Sequence, residues 1–233
     1  IAAFRQRRLD GLMIATADER AAGLAGRVDS FQASVLLDRE VPDARADAVL
    51  SDHAQGLVEA LEHLVGLGHR RIALIAGMDK QRGGRVRITT FLREGARLGL
   101  ELDDALLRAG ELTIADGYRA VKEILGLPRP PSAIIAGNNQ IFAGMFAALR
   151  DLGVRIPFDL SVVACEETEI TTLHVPPLDV VRRDLEELGR QAATLLLERL
   201  DAPRRRRRHV TLPTMFEGRG SPAPPPVPAG MRW

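Results

Sequence analysis

The sequence predicts an α/β fold in which a parallel sheet is covered by helices on both faces. Three observations predict it. Short apolar runs recur along the 233 residues, and one of them, 72–76, is apolar at every position, as a strand buried on both faces is. These runs alternate with stretches of helical periodicity, the pattern of β-α units rather than of hairpins. Capping residues and glycines stand at the junctions, as at Asp52 and Gly68.

Taken in order, residues 1–8 read as a helix, and 12–15, 34–37 and 48–50 as strands. Asp52 stands where an N-cap would, ahead of a helix to residue 67 with Leu57, Leu61, Leu64 and Val65 on one face; Gly68 suits its C-terminal stop. Strand 72–76 follows, then helix 85–98 closed by Gly99, a weaker strand at 106–112 and a helix at 116–125. Pro128, Pro130 and Pro131 interrupt the chain. Strand 133–136 precedes a helix at 140–152 ended by Gly153; strands 160–165 and 178–181 come next. Asp184 and Glu187 make a capping-box-like pair for a helix reaching residue 200, and 210–212 is a last short strand. Residues 204–208, all arginine, read as a solvated basic loop, and the Pro-, Ala- and Gly-rich stretch 221–233 as a disordered tail.

Composition narrows the function. With 45% hydrophobic and 27% charged residues the chain can bury a real core, and a net charge of +1 gives no bulk reason to bind nucleic acid or an anionic membrane. The longest apolar runs are of strand length, so no membrane span is expected. Cys165 is the single cysteine, which excludes an internal disulfide and fits a reducing compartment. At the end of a strand it reads as buried and inert rather than nucleophilic. The five histidines have no metal-ligand spacing, and neither a phosphate loop nor a dinucleotide fingerprint is present. No catalytic constellation, cofactor or metal is therefore expected.

Four stretches go further. They are Leu67-Gly68-His69-Arg70-Arg71-Ile72-Ala73-Leu74-Ile75-Ala76-Gly77, Ala136-Gly137-Asn138-Asn139-Gln140, Pro157-Phe158-Asp159-Leu160-Ser161-Val162-Val163 and the segment from Val175-Pro176-Pro177-Leu178 to Gly189. In that order they resemble the ligand-binding core of LacI/GalR-type transcriptional regulators. The resemblance implies two doubly wound parallel-sheet lobes of the periplasmic-binding-protein-like type I, joined by three crossover segments. Residues 1–52 and 182–208 would form lobe one, and 53–181 and 209–220 lobe two. It further implies a small sugar-like effector bound between the lobes, a side-by-side homodimer in the cytoplasm, and operator DNA contacted only through an N-terminal helix-turn-helix absent from these residues. Because the chain opens within the expected helix 1–8, it reads as a fragment lacking the family's first strand of lobe one, which would leave 12–15 and 34–37 short of a neighbour. The alternatives are a periplasmic sugar-binding protein of a transporter and an α/β sugar-modifying enzyme.

The resemblance also carries candidate ligand residues. Arg87 matches an arginine at a helix start that reaches the cleft; a guanidinium fork can hold vicinal hydroxyls or an anion by two bonds, while the plain alternative is a solvated arginine like Arg82 and Arg85. Asn138 matches the asparagine of an Asn-Asp pair, and its amide offers donors and an acceptor; the alternative is a helix cap. The following Asp is Asn139 here. Glu166 stands where the family has the first of two aspartates, and is one methylene longer; the alternative is a surface acidic cluster with Glu167 and Glu169. Asp38, on lobe one, faces the ligand or caps a turn before Pro42. Leu185 takes the place of an aromatic that stacks on the ligand in some members. Phe142, Phe146 and His174 are candidates for the lobe-two part of a dimer interface.

Overall fold

The computed structural model describes residues 1, 4, 9–111, 113–203 and 206–225. Residues 2, 3 and 5–8 of the expected helix at 1–8, the end of the expected strand at Leu112, Arg204 and Arg205, and residues 226–233 lie outside the described residues. The chain divides into two compact units. The first comprises the described residues of Ile1–Asp52, Lys80–Gly83 and Arg183–Pro213; the second comprises His53–Asp79, Gly84–Arg182 and the described residues from Thr214 on.

The first unit is built on a four-stranded sheet of order β1-β2-β3-β9, with β1 at Gly11–Ile14, β2 at Ala33–Leu37, β3 at Asp47–Ser51 and β9 at His209–Leu212. Every pairing in it is parallel. Side chains alternate across the sheet with the strand period of two. Leu36, Ala48 and Leu50 face one way and pack with Leu24 and Val28 of helix α1 (Leu24–Val28). Val35 and Val49 face the other way, against Leu188, Ala192 and Leu195. These three belong to the long helix α7 (Leu185–Asp201), whose N-cap Asp184 accepts from Glu187 N. The reciprocal half of a capping box is replaced here: the Glu187 carboxylate holds Arg190 and Gln191.

The second unit holds a six-stranded sheet of order β10-β8-β7-β6-β4-β5. Its strands are β4 (Ile72–Gly77), β5 (Leu107–Ala109), β6 (Ala133–Ala136), β7 (Ser161–Ala164), β8 (Asp179–Arg183) and β10 (Thr214–Glu217). As expected, β4, β6 and β7 are adjacent and parallel. One face carries Ala73, Ile75, Ile134 and Val162 against helices α4 (Ile114–Leu125) and α5 (Asn139–Asp151). The other carries Leu74, Ala76, Ile135 and Val163 against α2 (Gln55–Gly66) and α3 (Arg82–Leu98). A short helix α6 (Glu169–Leu173), capped by Thr168, lies between β7 and β8. Helices α4 and α5 approach so closely that a Cβ on Gly144 would lie 1.9 Å from the Ile114 carbonyl oxygen, and one on Gly117 2.3 Å from that of Ile141. Only glycine permits that spacing.

Several expectations need correction. Residues 209–212 belong to the first unit, because β9 pairs with β3 and places Val210 and Leu212 on the α7 face. Residues 80–83 also group with the first unit, where Arg82 N donates to Glu19 Oε1 and Gln81 Nε2 to Ala17 O. Helix α2 runs from Gln55, two residues after the Asp52–His53 pair, and Ala54 stands at its N-cap position in helical conformation. The strand β10 and the helices α1 and α6 are not among the expected elements; each is short, and β10 follows β9 with only Pro213 between them. Of the two strands expected to be short of a neighbour, β2 is flanked by β1 and β3, and β1 lies at an edge of the sheet among the described residues. Finally, residues 221–225 are not a disordered tail. Ser221 is fully buried, its Oγ accepting from Asp179 N, and Ala223 exchanges hydrogen bonds with Ser161 Oγ and His69 Nε2. Composition overlooked the two small polar residues on the strands, Ser161 and Asp179, that give this segment its partners.

Candidate functional site

In open parallel sheets, polar groups that act on ligands collect at the carboxyl ends of strands, where the chain leaves the sheet and its side chains are no longer committed to the core. Both units follow this pattern.

In the second unit, Asn138 and Glu166 each stand two residues beyond the last paired position of β6 and β7, Ala136 and Ala164, which are opposite one another. The pairing continues past the strand ends, Cys165 N donating to Ala136 O at 2.8 Å, and this fixes the two polar residues at one level. Asn138 is extended, with φ −161°, and caps α5 by accepting from Ile141 N at 2.7 Å. The cap uses only its carbonyl oxygen. Its amide nitrogen makes no hydrogen bond among the described residues, so one side chain can cap the helix and still donate.

Glu166 is half-buried. The acidic cluster weighed against it forms around its neighbour: Glu167 is held by Arg219 and Arg182, and these join Glu217. Cys165 is buried in the core under α2 and α3. Leu185, in the first unit, is 62% exposed.

Arg87 is 6% exposed, which removes the solvated reading. It sits in the second turn of α3 rather than at its start, because the helix begins at Arg82. Its Nη2 is 3.3 Å from His53 Nδ1. A guanidinium only donates, so Nδ1 accepts and the imidazole proton belongs on Nε2.

In the first unit, Asp38 follows β2 in a left-handed conformation, φ 52°. Its Oδ1 accepts from Ser51 N at 2.9 Å and its Oδ2 from Arg183 Nη1 at 3.1 Å, and the residue is 8% exposed. Arg82 completes the group, its Nη1 donating to Ser51 O at 2.7 Å and its Nε 3.4 Å from Glu40 Oε1. Asp38, Arg82 and Arg183 thus form one polar cluster at the carboxyl ends of β2 and β3, Asp38 buried and the two arginines half-buried. Sequence reading missed both arginines. Arg82 was classed with solvated helix residues, and the one signal for Arg183 was its place directly before the helix cap Asp184.

Phe142 is 1% exposed and belongs to the core, so it cannot form an interface; Phe146 is half-buried and meets the His174 ring edge-on at 5.8 Å. Among the described residues no group of His, Cys, Asp and Glu could hold a metal, and no helix is long and apolar enough to cross a membrane.

Residues 61–221 match the model of the periplasmic binding protein-like domain. The chain is 26% identical over 218 residues to the ribose operon repressor of Escherichia coli K12, covering 93% of this chain and 66% of the repressor, so it spans just under two thirds of that relative. Among solved structures, it resembles a LacI family transcriptional regulator from Mycobacterium smegmatis (28% identity, TM-score 0.84, 95% of this chain and 81% of that one). It also resembles a LacI family regulator from Enterococcus faecium with bound ribose (26% identity, TM-score 0.81, 96% and 82%).

Proposed function

The chain belongs to the periplasmic binding protein-like domain family, in the form carried by LacI-type regulators, and from that membership we propose that it senses a pentose-like sugar for a transcriptional repressor. It binds the effector and does no chemistry on it. The observation that carries this reading is the placement of Asn138 and Glu166 at one level on neighbouring strand ends, an amide donor beside a carboxylate acceptor. That pair suits the hydroxyls of a sugar ring, which both donate and accept. Arg87, buried on α3, supplies a charged donor, and Asp38 the carboxylate of the first unit. With Leu185 in place of an aromatic, the sugar is held by hydrogen bonds more than by stacking.

Operator binding belongs to a helix-turn-helix outside these residues, in a homodimer in the cytoplasm. The coupling is one of linkage: an effector that prefers one conformation of the core shifts the population toward it, and operator affinity changes reciprocally. With Phe142 in the core, the second unit's share of the dimer contact falls to Phe146 and His174, and sedimentation velocity at high micromolar concentration tests it; a monomer rejects it.

The direct test of effector binding is calorimetric titration of the chain with D-ribose. Saturable binding that falls more than tenfold in Arg87→Ala is expected, since a hydrogen bond to a charged group contributes about 1.5–3 kcal/mol. Absence of binding to ribose and to other pentoses and hexoses would reject the sugar reading. Affinity within about twofold of the parent in Arg87→Ala would reject the role of that residue.

A further inference from the structure

We propose that the first unit carries a second binding site, for a small phosphorylated metabolite, at the amino ends of β2 and β3. A cavity of roughly 570 Å³ opens there, within the size range of small-molecule sites. Asp38 and Ser51 lie at the opposite ends of the same strands, so this cavity is separate from the effector residues described above.

The walls are chemically divided. Phe31 and Pro203 supply apolar surface, and Gln32 and Ser34 polar surface, with Arg45 and Arg207 flanking Ala44 at the rim. Both arginines are held by one side of the guanidinium only. Arg45 Nε is 3.3 Å from Asp29 Oδ2, and its backbone N–H donates to Asp29 Oδ1 at 2.8 Å. Its two Nη groups have no partner among the described residues, and its side chain is 84% exposed. Arg207 Nη1 donates to Ala44 O at 3.2 Å, leaving Nε and Nη2 without a hydrogen bond among the described residues. A guanidinium held at one edge leaves the other free to bind, and two such forks lining one cavity suit the several oxygens of a phosphoryl group.

The sign of the field agrees. Arg199, at the back, is neutralised by Asp47, and Asp29 by Arg45. Asp43 and Arg207 roughly offset one another within the lining. The neighbouring Arg206 is exposed and adds positive charge beside Arg207, and such fields sum over the surface. The modest volume favours a compact anion with an organic body over an extended polyanion.

The test uses inorganic pyrophosphate as the probe, titrated calorimetrically into the chain at constant ionic strength set with chloride. Saturable binding is expected, weakened at least tenfold in the double variant Arg45→Glu/Arg207→Ala, with D-ribose affinity of that variant unchanged. This last readout separates the second site from the effector site. Absence of saturable pyrophosphate binding, or equal binding by the double variant, overturns the proposal. So does tighter binding to random-sequence duplex DNA that the same variant abolishes, which would make the rim a nucleic-acid contact. Should the double variant lose its native circular dichroism, Arg45→Glu alone, at an exposed side chain, decides between these outcomes by the same titrations.

Discussion

Asp47 and Arg199 form a two-pronged ion pair inside the first unit. Arg199 Nε and Nη2 lie 2.8 and 2.6 Å from the two carboxylate oxygens, and the side chains are 0% and 7% exposed. Asp47 Oδ1 also accepts from Arg208 N at 2.6 Å, so the pair ties the start of β3 to the last turn of α7 and to the approach to β9. Removing the cation strands a buried carboxylate. Arg199→Ala is expected to cost about 3–5 kcal/mol, whereas the double change Asp47→Ala/Arg199→Met should cost much less, because no unpaired charge remains. Urea denaturation decides it; a loss under about 1 kcal/mol for the single variant would mean the pair is not sealed from water.

Helices α4 and α5 meet backbone to backbone at Gly117 and Gly144. A methyl group at either position would collide with carbonyl oxygen rather than with a flexible side-chain tip. Gly144→Ala should destabilise the second unit by about 1–3 kcal/mol or more, the usual cost of overpacking, despite the better helix propensity of alanine. A stability equal to or above the parent in thermal melts would contradict the close approach.

His69 is fully buried, and burial pushes its imidazole below the ordinary value of 6.5, opposed by its hydrogen bond to the Ala223 carbonyl and reinforced by His63. That carbonyl can only accept, so Nε2 carries the proton and Nδ1 accepts from the Ser132 hydroxyl. A histidine with a depressed folded value is protonated first in the unfolded chain. Its contribution to stability is therefore complete above 6.5 and is lost as the pH falls through and below that value. The urea midpoint should drop between about pH 7 and about pH 5, and His69→Gln should flatten that slope. An unchanged slope would assign the pH response elsewhere.

Asn138 permits a separation of structural and ligand roles. Asn138→Ala removes the cap on α5 and should cost about 1 kcal/mol. Asn138→Asp keeps an acceptor for Ile141 N but loses the amide donor, so it should preserve stability while lowering ribose affinity. If both variants bind ribose as tightly as the parent and differ only in stability, Asn138 is a cap and nothing more.

Much of the second unit was legible from the sequence. Its central strands β4, β6 and β7 are apolar at nearly every position and its helices periodic, so hydrophobic burial, a local property of residue type and spacing, specified those strands without reference to partners. The helix α5 and its start beside Asn138 were legible for the same reason. Asn138 and Glu166 were visible as polar residues directly after apolar runs. Arg82 and Arg183 were not, because their partners Ser51 and Asp38 are distant in sequence and no local pattern links them.

By itself, then, the sequence determined the fold class, the order of the main strands and helices, and the polar residues that leave the second sheet. Tertiary structure alone decided which sheet the last strands join, that residues 221–225 pack beneath the strands instead of trailing away, and that Phe142 is core while Arg87 is buried. Each of these depends on a partner far along the chain: β3 for β9, Ser161 and His69 for Ala223, His53 for Arg87. Burial of a repeated pattern is written into neighbouring residues, whereas the satisfaction of single polar groups is settled only when distant segments meet.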